Sequence, residues 1–74
     1  MKFVVCISRE DCGDFSTGDL TLGRLYEVRA PADDHGMIRV IDDSGEDYLY
    51  PDSLFEAVEV KKQTASRLHE LLAA

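Results

Sequence analysis

The sequence predicts a mainly β domain: a small barrel of five strands followed by a C-terminal α-helix. Three stretches carry this. Residues 37–51, MIRVIDDSGEDYLYP, read as two short strands joined by a tight acidic turn. Residues 2–8, KFVVCIS, form a run rich in β-branched side chains. Residues 64–73, TASRLHELLA, switch to helical spacing, with Ala65, Leu68, Leu71 and Leu72 on one side. The expected division is a barrel over 1–60 and an amphipathic helix over 61–74.

The elements follow in order. In residues 2–8, Phe3, Val5 and Ile7 share one face and Val4 and Cys6 the other. Both faces are apolar, so this strand should be largely buried. Residues 9–19, REDCGDFSTGD, have the glycines and acids of a loop, with Phe15 folding back as a plug over the barrel end. Residues 20–23 lead into a second strand over 24–29, and Gly23 should take a backbone conformation closed to other residues. Pro31 and Gly36 punctuate a loop over 30–36.

Residues 37–42 and 46–50 make a hairpin, with Gly45 in a left-handed position of its loop. Pro51 cannot donate a ladder bond and ends the strand. Residues 52–54 fit a single tight helical turn, and 55–60 a closing strand with Val58 and Val60 inward. One long helix over 52–73 is the competing parse, and the β-branched Val58 and Val60 argue against it. The last helix should start near Thr64 or Ser66, either of which can cap it. Such a short helix is marginal alone in water, so its leucines must pack on the barrel or on another chain.

Size bounds function. A single core of 74 residues supplies at most about 3–5 kcal/mol of net stability. A ligand pocket of roughly 300–1,000 Å³ would consume most of it. The chain therefore reads as non-enzymatic, with no cofactor expected. The net charge is −7 and uneven. Residues 30–60 carry Arg39 against nine acids, whereas 61–74 carry Lys61, Lys62 and Arg67 against Glu70. An acidic face repels phosphate backbones, so direct nucleic-acid binding is not expected. It suits solubility, a basic protein partner, or the basic end of a second copy. An acidic regulator that imitates DNA is a further reading of the same charge. The run from Phe3 to Ile7 is too short for a secretory core, and no stretch is long enough to span a membrane. The expected compartment is the cytoplasm, with Cys6 and Cys12 reduced.

At residues 20–28, LTLGRLYEV, then 36–51, GMIRVIDDSGEDYLYP, then Phe55, the chain resembles a family of small bacterial proteins with an SH3-like barrel. The resemblance covers most of 2–60, IDDSGEDYLYP is its specific part, and the final helix lies outside it. It implies a fold and supplies no activity or site. Eukaryotic SH3 domains are a weaker resemblance, because their proline-peptide groove uses a tryptophan and this chain has none.

The candidate binding residues are Tyr26, Tyr48 and Tyr50, with Asp42, Asp43, Glu46 and Asp47 as an acidic rim. Tyr48 and Tyr50 lie two apart, so they share a face, and tyrosine is favoured at interfaces. Packing on a half-buried sheet explains tyrosines equally well. The rim acids lack the alternate spacing of a calcium loop and fit a solvated turn in which Asp43 or Ser44 bonds to the backbone. Leu68, Leu71 and Leu72 are candidates for self-association. Cys6, Cys12 and His35 lack the spacing and the fourth ligand of a zinc site. Cys12 sits among acids that disfavour a thiolate, and His69-Glu70 lacks the second histidine of a zinc-protease helix.

Overall fold

A computed structural model of the chain describes residues 2–9 and 18–73. Cys12 and the expected plug Phe15 lie outside the described residues. The elements are β1 (Lys2–Cys6), β2 (Leu25–Ala30), β3 (Met37–Ile41), β4 (Asp47–Pro51), a 3-10 turn (Asp52–Leu54), β5 (Phe55–Val58) and α1 (Lys62–Ala73). All strands belong to one antiparallel sheet in the order β4-β3-β2-β1-β5. Its edges, β4 and β5, do not pair with each other, so the expected closed barrel is an open sheet.

The sheet buries side chains on both faces. On the first, Val4, Cys6, Tyr26, Ile38, Val40, Tyr50, Leu54 and Phe55 form the main core, with Leu20 closing it. The ring of Phe55 meets Tyr26 and Tyr50 edge-on, each at 6.2 Å between centroids. Full burial of each large apolar side chain stabilises the fold by about 1.5–3 kcal/mol. The second face is covered in part, by the helix over β2. Phe3 stands directly opposite Glu27 across the β1–β2 ladder, so the two share the side away from Val4 and Cys6. α1 packs on β2 there, burying Ala65 and half-burying Leu68 and Leu72. This is why β1 is apolar on both sides.

Three local expectations are corrected. β1 ends at Cys6, and Ile7 is exposed, although its N–H continues the pairing by donating to the Leu54 carbonyl at 2.8 Å. β5 stops at Val58, two residues short of Val60. α1 starts at Lys62, so Thr64 and Ser66 lie inside its first turns and neither is the cap; the first turn is closed by Ala65 N–H on the Lys61 carbonyl at 2.9 Å. Gly45 takes φ +85°, as the hairpin loop requires, and Gly23 takes φ +80°. A bulge between Val28 and Ala30 breaks the β2–β3 register and bends the sheet.

Candidate functional site: the acidic hairpin and the cleft under the helix

The β3–β4 turn is built by its own acids. Asp42 ends the inward-facing row of β3, so its carboxyl is carried into the fold and is buried. Its Oδ1 accepts the Ser44 N–H at 2.9 Å and the Ser44 hydroxyl, closing the turn locally. Its Oδ2 accepts the Tyr50 hydroxyl at 2.6 Å. Burial first, and then this bond to a carboxylate, push the Tyr50 phenol well above its ordinary value. The turn thus folds on Asp42, while Ser44 also accepts the Glu46 N–H through its Oγ at 3.3 Å.

Asp43 ties the same turn to the segment before β2. It accepts from the Tyr26 hydroxyl at 2.9 Å, from Thr21 Oγ1 at 2.8 Å, and from the Arg24 guanidinium. Tyr26 in turn accepts the Thr21 N–H at 2.6 Å, and Arg24 lies over the Tyr26 ring, 5.0 Å from its centroid. The Asp43 N–H bonds the Asp19 carbonyl at 2.8 Å.

The sequence-derived candidates therefore separate into two sets. Tyr26 and Tyr50 are 1% and 4% exposed, and Asp42 is buried with them. They offer no contact surface; they hold the hairpin. Tyr48 is 48% exposed, with Glu46 and Asp47 exposed beside it on the outer strand. The Tyr48 hydroxyl donates to Glu46 Oε2 at 2.9 Å, and that carboxylate holds its phenol above the usual value. Of the three leucines, Leu68 and Leu72 are turned toward the sheet and only Leu71 is exposed.

Sequence reasoning missed one feature. A cleft of about 340 Å³ opens where α1 meets β2 and the β3–β4 turn, lined by Arg24, Glu27, Asp43, His69 and Leu72 among others. At its floor the Glu27 side chain, 7% exposed, bonds His69 Nδ1 on α1 at 2.5 Å. A carboxyl that orients an imidazole is also the arrangement of a general base. Among the described residues, however, no hydroxyl or thiol is bonded to His69, and no three His, Cys, Asp or Glu side chains group to hold a metal ion. Glu27 stands opposite Phe3 only in the folded register, which the sequence does not give, and nothing in spacing links residues 27 and 69.

No family model, curated protein or solved structure matches this chain. Among the described residues no helix is long and apolar enough to cross a membrane.

Proposed function

We propose that the chain is a non-enzymatic interaction module that binds a basic segment of a protein partner at its acidic hairpin. The observation that carries this is the half-exposed Tyr48, set between Glu46, Asp47 and the exposed Leu49 on an outer strand whose hairpin is tied down by the buried Tyr50–Asp42 bond and the partly buried Tyr26–Asp43 bond. A large aromatic ring on a rigid support contacts a partner at low ordering cost. The surrounding carboxylates favour lysine and arginine and act over roughly 8 Å at physiological ionic strength. The strand order and the 3-10 turn before β5 suit the SH3-like fold that the sequence resembles, with a sheet that is not closed. The cytoplasm remains the expected compartment.

Self-association through the helix is less favoured, because Leu68 and Leu72 already face the chain's own sheet. The test of the main reading is a titration of isotope-labelled protein with a lysine-rich peptide, followed by backbone amide shifts. Changes should cluster at residues 46–49 and fade as salt is raised. Glu46→Gln and Asp47→Asn should each weaken binding by about two- to five-fold, the scale of an exposed charge pair. Shifts that ignore both substitutions, or that centre on α1, would overturn the reading.

A further inference from the structure

The β3–β4 register fixes which backbone groups of β4 look outward. The Asp42 N–H donates to the Glu46 carbonyl at 3.0 Å, and the Asp52 N–H donates to the Gly36 carbonyl at 2.8 Å. Hydrogen-bonded and non-hydrogen-bonded pairs alternate along an antiparallel ladder. The pairs between these two ends follow: Val40 with Tyr48 and Ile38 with Tyr50 are bonded, whereas Ile41 with Asp47, Arg39 with Leu49 and Met37 with Pro51 are not. The N–H and C=O groups of Asp47 and Leu49, and the Pro51 carbonyl, therefore point away from the sheet. β4 is an edge, so no strand among the described residues meets them. Among the described residues the Asp47 carbonyl alone is engaged, by Arg39 Nη1 at a long 3.4 Å.

We infer that this edge is where the partner docks, by adding an extended strand beside β4 whose N–H and C=O groups pair with Leu49 and Asp47. The inference rests on the interaction-module reading above and specifies its geometry. Charge selects the occupant. Glu46, Asp47 and Asp52 flank the edge, and Arg39, which already reaches Asp47 Oδ2 at 3.5 Å, is the only lysine or arginine in residues 30–60. A second β4 would set like charges against each other, which disfavours edge-to-edge pairing of two copies. A strand with lysine or arginine at alternate positions places every base on one face, beside Asp47 or beside Glu46 according to its register. Pro51 has no N–H, so pairing ends there and the added segment is short. Main-chain bonds supply the affinity and the neighbouring side chains the choice of partner.

The experiment uses the full chain and a short end-capped synthetic peptide of alternating lysine and valine. In the wild-type protein, binding should slow hydrogen exchange at the Asp47 and Leu49 amides and leave Tyr48 and Tyr50 unchanged, since these are bonded already. Leu49→Pro removes only an outward N–H and should weaken binding by about tenfold, roughly the loss of one backbone bond; Leu49→Ala should change it little. A peptide N-methylated along its bonding edge keeps its charge and should bind no better than background. Equal binding of the methylated peptide, or loss on Glu46→Gln with none on Leu49→Pro, would overturn strand addition and leave the charge-driven module standing. Absence of binding by every peptide would remove both. The exchange pattern of the wild type decides the matter should Leu49→Pro fail to fold.

Discussion

Asp42 and Tyr50 stand eight residues apart in sequence and share one buried hydrogen bond at 2.6 Å. A buried acceptor stripped of its partner costs about 1–3 kcal/mol. Tyr50→Phe keeps the ring that Phe55 packs against and removes only that bond, so it should lower stability by this amount, read from the urea midpoint. Its pH dependence has a definite sign. The folded-state value lies above the unfolded value of about 10, so Tyr50 contributes its full stabilisation below pH ~10 and loses it as pH rises further. Tyr50→Phe should therefore flatten the alkaline fall in stability. A flank acid of a polar turn looks like a solvent-facing charge from sequence, and Asp42 was legible only as that. Period-two reasoning put Tyr48 and Tyr50 on one face correctly in kind. It could not tell that β4 runs past the core at Tyr48 while Tyr50 still lies over Phe55.

At the scale of elements, α1 is attached by few contacts: Ala65 buried, Leu68 and Leu72 half-buried, and the Glu27–His69 bond. His69 is itself 49% exposed at its side chain, so the bond is partly screened by water. His69→Ala leaves the Glu27 carboxyl buried without that partner and should cost toward the lower end of about 1–3 kcal/mol. The loss should be local. Amides of residues 62–73 should exchange faster, while those of β1, β2 and β3 keep their protection. Uniform acceleration across the sheet would show that helix and sheet open as one unit. The five strands, the 3-10 turn and the helix were legible from alternation, Pro51 and the leucine spacing. The helix start was not, because Lys62 and Gln63 are good helix formers that a capping argument centred on Thr64 overlooked. The contact between residues 27 and 69 crosses most of the chain and leaves no periodic trace.

For the molecule as a whole, charge and architecture divide the labour. Residues 30–60 hold nine acids, yet Asp42 is buried in the fold and Asp43, though exposed, is engaged by Tyr26, Thr21 and Arg24. What reaches solvent around β4 is a smaller, directed set of carboxylates. The openness of the sheet was not legible: strand count and turn lengths fit a closed barrel as well, and closure depends on curvature set by features such as the Val28–Ala30 bulge. The same openness leaves β4 with an outward row of backbone groups, which the acids and Pro51 protect from copies of the chain.

The chain has three tyrosines and no tryptophan, and each tyrosine hydroxyl donates to a carboxylate: Tyr26 to Asp43, Tyr48 to Glu46 and Tyr50 to Asp42. An excited phenol hands its proton to such an acceptor, which quenches the emission of the phenol itself. The native molecule should accordingly be dim under ultraviolet excitation and brighten as urea separates these pairs, giving a built-in optical readout of unfolding without any added dye. A fluorescence trace that darkens on denaturation would mean that the three phenol–carboxylate contacts do not persist in solution.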